Sequence, residues 1–269
     1  MHTGMAQVPN TFILGVHHFC DHRCWRCPLS NRCRVPARVL TDPEVKRAAA
    51  AGPAGRVAAA VLASLYVTVE EVDGLIASAP ERPRFEQASL AARSRPKQDF
   101  AAVRTRTKSD PLVAAGKEYA DGSLRVVQAL RPILSGRGDS VALDAAERLE
   151  EICTTIASKI HRAVLSALSQ EPGEDDAQTD ANGSAKVALL LIEESRQAWR
   201  TLMQPGRSIA DGAPARFVAG LDGLESGLLK RFPRALEFIR PGFDTPDAGG
   251  MPSELARAIL GMCRVRDNA

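Results

Sequence analysis

The stretch LEEICTTIASKIHRAVLSAL, residues 149–168, decides the fold class. Its apolar residues Leu149, Ile152, Cys153, Ile156, Ile160, Ala163, Val164 and Ala167 recur at steps of three and four. That spacing gathers them on one face of an α-helix and would scatter them over both faces of a strand. The same register extends over 141–168, a long helix with one stripe to bury. Working outward, a helix is expected from near Pro111 to Leu130, with Pro111 suited to a first turn. Another is expected after Asn182-Gly183-Ser184, carrying Val187, Leu190, Leu191, Ala198 and Leu202. Further helices are expected over 215–231, 233–239 and 253–265.

Upstream, the chain turns helical from Asp42, and Thr68 with Glu71 has the spacing of a capping box ahead of a helix reaching Ala79. Between lies a segment with Pro80, Pro83 and Pro96, and with eight Lys/Arg against four acids over 80–110. It reads as a basic linker. No useful strand alternation and no internal repeat occur. The expected architecture is all-α: a helical bundle over 111–269, a linker over 80–110, a helical segment over 41–79, and an irregular cysteine-rich metal-binding loop over 1–40.

Composition agrees. With 45% apolar and 25% charged residues among 269, the chain has the balance of an ordinary globular protein. Aromatics make up only 4%, which favours helices packed through small side chains over a sandwich of strands. The net charge of +3 does not by itself imply a nucleic-acid partner. The opening MHTGMAQVPN lacks a charged region followed by an apolar core, so no secretory signal is read there. The longest apolar run, 57–69, falls short of the ~20 residues that span a bilayer. A cytoplasmic protein with no membrane partner is expected, and in that compartment clustered cysteines imply a metal before disulfides.

Four of the six cysteines fall in HHFCDHRCWRCPLSNRC, where Cys20, Cys24, Cys27 and Cys33 are spaced Cys-x3-Cys-x2-Cys-x5-Cys within 14 residues. So short a span lets four thiolates close on one centre at little entropic cost. Both tetrahedral zinc and a cubane iron–sulfur cluster take four such ligands. Either is a dianion or close to it, and Arg23, Arg26, Arg32 and Arg34 are placed to offset that charge. His17, His18 and His22 lie within reach as ligands or as donors to a ligand sulfur. Trp25 would shield the centre or anchor the loop.

Other candidates are weaker. Lys159 and Glu194 interrupt apolar stripes, where each needs a partner; an ion pair between their helices would supply it. With His161 they mark a possible enzyme site. The Glu-x-x-His pair of di-iron bundles is absent. Asn182, Ser184 and Lys186 open a helix, with Asn182 or Ser184 as cap and Lys186 in the first turn, an arrangement able to hold an anion at a cofactor-binding site. Cys153 and Cys263 read as small core residues. The acidic run 171–180 reads as a solvated connection. Arg93, Arg95 and Lys97 in the linker could touch a phosphate backbone.

The segment CWRCPLSNRC, residues 24–33, resembles the iron–sulfur loop of the endonuclease III and adenine DNA glycosylase family, in which Cys-x2-Cys-Pro-Leu-x3-Cys closes a [4Fe–4S] cluster. Cys24, Cys27, Pro28, Leu29 and Cys33 carry the match, and the first cysteine spacing is shorter here. The resemblance implies a [4Fe–4S] cluster in preference to zinc. No helix-hairpin-helix or catalytic lysine pattern accompanies it, so glycosylase activity is not implied. CDHRCWRC also has the cysteine spacing of radical S-adenosylmethionine enzymes, but Cys33 would fill the iron that those enzymes leave open. Through CDHRCWRCPLSNRC, SKIHRAV, NGSAKVALLLIEESRQAW and FIRPGFD, the chain resembles over most of its length a group of uncharacterised bacterial proteins. That likeness implies a cytosolic, metal-associated protein and carries no activity.

The leading expectation is a [4Fe–4S] redox or sensing protein that passes electrons to a partner or signals oxidation. One alternative is a zinc-stabilised helical module binding a protein or nucleic acid. Another is an enzyme with a polar site near Lys159, His161 and Glu194.

Overall fold

Helix signals along the chain translate into eight α-helices in the computed structural model, which describes residues 12–78, 100–169, 176–204 and 213–244. They are α1 (Arg34–Thr41), α2 (Pro43–Ala49), α3 (Pro53–Ser78), α4 (Phe100–Lys108), α5 (Pro111–Arg137), α6 (Ser140–Ser169), α7 (Asp180–Leu202) and α8 (Ala213–Arg231). No strand occurs among the described residues, and no described helix is long and apolar enough to cross a membrane. The all-α expectation holds at this level.

The chain divides into two units. One comprises Asp73–Phe238 and holds a ring of four helices: α6 packs along α5 and α7, and α8 lies against α5 and α7, with α4 beside α6. The stripe foreseen from the sequence is its core, since Leu149, Ile152, Cys153, Ile156, Ile160, Ala163 and Val164 are all buried. Gly116 lets α5 approach α6 closely, because a Cβ there would lie 3.1 Å from the Ile160 side chain. Trp199 of α7 is fully buried, stacks on Phe217 at 4.7 Å, and donates its indole N–H to the Tyr119 hydroxyl at 3.1 Å. Arg196 ties α7 to α8 through Glu225 at 2.5 Å and Asp222 at 3.0 Å.

The other unit comprises Met1–Val72 with Ile239–Ala269. Its core joins Ile13, Val16, Cys33, Val35, Val45, Ala59, Ala60, Ala63 and Val67, with Cys24, Leu29 and Phe243 packed against it. The cysteine segment is therefore seated on α1, α2 and α3 by apolar contact. Within FIRPGFD, Gly242 adopts a left-handed φ of 74°, and a Cβ there would meet the Ile13 side chain at 2.7 Å and that of Leu29 at 3.1 Å. Glycine is what lets this segment press onto the loop.

Several boundaries differ from expectation. The segment 1–40 is not wholly irregular, because α1 begins at Arg34. Thr68 and Glu71 do not cap a helix: α3 starts at Pro53, and the Thr68 hydroxyl donates back to the Ser64 carbonyl at 2.7 Å in mid-helix. The region expected as linker contains α4, whose Val103 and Thr107 are buried; its residues 80–99 lie outside the described residues. Residues 233–239 form only a short 3-10 turn, Ala235–Glu237, in place of a helix. The expected helix 253–265 and Cys263 lie outside the described residues.

Candidate metal centre

Three short 3-10 turns, Val16–Phe19, Cys24–Arg26 and Ser30–Arg32, fold the cysteine segment so that each ligand candidate sits at or beside a turn. Cys20 closes the first turn, its thiol donating to the His17 carbonyl at 3.3 Å. His22 then takes a left-handed φ of 60°, the one such non-glycine among the described residues. Histidine enters that region more readily than most residues. The turn aims the His22 amide back at Cys20, so that it donates to Sγ at 3.4 Å. Cys24 opens and Cys27 follows the second turn, and Cys33 sits at the position just before α1 without a side-chain capping hydrogen bond.

Cys33 is buried, Cys20, Cys24 and Cys27 are half-buried, and none of the four is in a disulfide. Burial first, then the neighbouring thiols of Cys20, Cys33 and Cys27, push Cys24 far above the usual thiol range. Burial likewise raises Cys33 to about 12, with Cys20 and Cys27 contributing after its backbone hydrogen bond opposes. The four thiols are thus electrostatic neighbours drawn partly out of water, a costly arrangement for thiolates with no cation among them. That donor set fits a thiolate-ligated metal.

Among the described residues, the Cys, His, Asp and Glu groups close enough to share one ion are His17, His18 and Glu71, and no trio of the four cysteines is among them.

The arginines divide. Arg23 is buried and chelates Asp21 through Nε at 2.8 Å and Nη2 at 2.6 Å. Arg34 and Arg38 both reach Glu70 on α3, at 3.1 and 2.7 Å. Arg34 and Arg38 thereby tie α1 to α3, while Arg23 braces the loop internally. Trp25 is exposed, and the Arg56 guanidinium covers its ring at 5.1 Å, an anchor onto α3.

Buried beside the first turn lie His17, His18 and Glu71, whose ligand atoms come within 4.8 Å of one another. Glu71 accepts the Gly15 amide at 3.2 Å. Nothing local in the sequence pairs residues 56 positions apart, and the capping-box spacing pointed elsewhere.

The remaining candidates fall in the unit Asp73–Phe238. Helix α7 starts at Asp180, two residues before the expected cap, and Thr179 is the N-cap, accepting from the Asn182 amide at 3.2 Å. Neither Asn182 nor Ser184 caps it. The Asn182 side chain donates to the Asp176 carbonyl at 3.0 Å, Ser184 is buried, and Lys186 donates to the Phe238 carbonyl at 2.6 Å. The first turn already carries a carboxylate, Asp180, paired with Arg162 at 2.5 Å. Glu194 has Arg148 at 3.8 Å, and Lys159 is buried on α6. His161 is held below its ordinary value by burial, then by Lys108 and Arg104. Arg93, Arg95 and Lys97 lie outside the described residues.

No protein-family model, no curated protein and no solved structure matches the chain.

Proposed function

We propose that Cys20, Cys24, Cys27 and Cys33 hold a [4Fe–4S] cluster and that the protein is a redox or oxidation-sensing protein. The observation that supports this reading is a set of four partly buried cysteine thiols, none in a disulfide, on one short loop whose CWRCPLSNRC stretch resembles an iron–sulfur loop. When bound, such a cluster supplies one-electron chemistry. The chain's own residues do the rest. The core beneath the loop excludes water from Cys33, and the His22 amide donates to the Cys20 sulfur. Hydrogen bonds to a ligand sulfur raise a cluster's reduction potential by stabilising the more negative form.

The test is metal and sulfide analysis of anaerobically purified protein. A brown protein with iron and acid-labile sulfide in equal amounts, whose visible absorbance dithionite bleaches, is the expected result. A colourless protein holding one zinc per chain, lost when Cys24→Ser or Cys33→Ser is introduced, would overturn it in favour of a zinc-stabilised module.

A further inference from the structure

We propose that His17, His18 and Glu71 form a second, separate site for one divalent transition ion of the zinc or iron(II) class. The three side chains are 2%, 6% and 8% exposed, and their ligand atoms lie within 4.8 Å of one another. Gly15, at a left-handed φ of 69°, starts the turn that brings the adjacent imidazoles, tilted by 38°, to centroids 4.2 Å apart. Helix α3 brings Thr68 and Glu71, three residues apart, to one face.

The hydrogen bonds around the group orient it as ligands require. The Thr68 hydroxyl spends its proton on the Ser64 carbonyl, so its oxygen accepts from His17 Nε2 at 3.0 Å. Nε2 therefore carries the ring proton of neutral His17, and the lone pair is on the buried Nδ1. Metal-bound histidines characteristically donate their other ring nitrogen in this way, which fixes ring and tautomer together. Glu71 Oε2 is likewise held by the Gly15 amide, leaving its second oxygen to bind. Two imidazoles and one carboxylate are the donor set of zinc hydrolases and of mononuclear iron(II) sites, with further coordination positions open. A buried carboxylate beside two imidazoles is costly unless compensated, and a divalent ion compensates all three. The ordinary alternative is a histidine–glutamate ion pair, which needs no metal.

The experiment uses the full chain, purified anaerobically and titrated with zinc(II), with cobalt(II) as the spectroscopic probe. The expected result is one divalent ion per chain beyond the metal held by the thiols. Glu71→Gln and His18→Gln should each weaken it at least tenfold while leaving iron, sulfide and circular dichroism unchanged. Thr68→Val, which removes no ligand, should weaken it about 10- to 100-fold by releasing the ring orientation, and it decides the matter if Glu71→Gln does not fold. Bound cobalt should show no sulfur-to-metal charge transfer. Absence of the extra ion, retention at full affinity in these variants, or a thiolate-type cobalt spectrum would each overturn the proposal. The cluster reading fails separately: a protein with zinc on its thiols would still hold the histidine-dependent ion.

Discussion

His22 is the residue on which the loop's geometry turns. A left-handed backbone costs an L-residue roughly 1–2 kcal/mol, and strain of this kind collects at ligand clamps. Its return is the amide pointing at the Cys20 sulfur. His22→Gly should keep that hydrogen bond and melt at or above the parent temperature, whereas His22→Val, branched at Cβ, should lose about 1–2 kcal/mol relative to glycine. Anaerobic thermal melts of the two variants make the comparison. His161 gives a second residue-scale test. Its folded pKa lies below the ordinary 6.5 because burial, Lys108 and Arg104 disfavour the imidazolium. The unfolded chain therefore takes up a proton first as pH falls below 6.5, and stability drops from that point until the folded histidine titrates. Urea titrations at a series of pH values should show this loss in the parent and a flatter profile in His161→Gln.

At the scale of elements, caps and stripes decide what can be read from a linear chain. Helix α6 was legible because its buried residues recur along one side over most of its length. Helix α4 was not: it offers only Val103 and Thr107 to the interior amid Arg104, Arg106 and Lys108, too thin a stripe to stand out from a basic, proline-bearing neighbourhood. The start of α3 was misplaced because Thr68-x-x-Glu71 carries capping-box spacing, while the true start uses Gly52 at φ 94° followed by Pro53. The four cysteines stand out as a group because all of them lie in one short span. The contact between Glu71 and Gly15 was not legible, since only tertiary packing brings α3 to the first turn. For α7 the cap is Thr179, and Thr179→Ala should cost about 1 kcal/mol of unfolding free energy; Ser184→Ala should leave the helix start intact. Chemical denaturation with far-UV circular dichroism distinguishes the two.

For the whole molecule, two separate cores mean that a metal held by the cysteine loop, as proposed above, would add to the stability of the core beneath that loop. Metal binding free energy is folding free energy where ligands come from an otherwise weakly structured loop. If the proposed cluster is present, removing it by oxidation and chelation should accelerate amide exchange across residues 12–49 of the loop, α1 and α2. The amides of α5, α6 and α7, protected by the Leu149–Val164 stripe and by Trp199, should keep their protection. Hydrogen exchange read by mass spectrometry locates the effect, and equal acceleration in both units would contradict it.

The seating of Gly242 and Phe243 against Ile13 and Leu29 has a consequence for biosynthesis. The wedge that packs the thiols leaves the ribosome only after more than two hundred further residues. At ~5–20 residues per second that is a wait of roughly 10–40 s. Through that interval the nascent loop lacks its packing on one flank, and on the cluster reading proposed above this is when an iron–sulfur donor would have its freest approach to the cysteines.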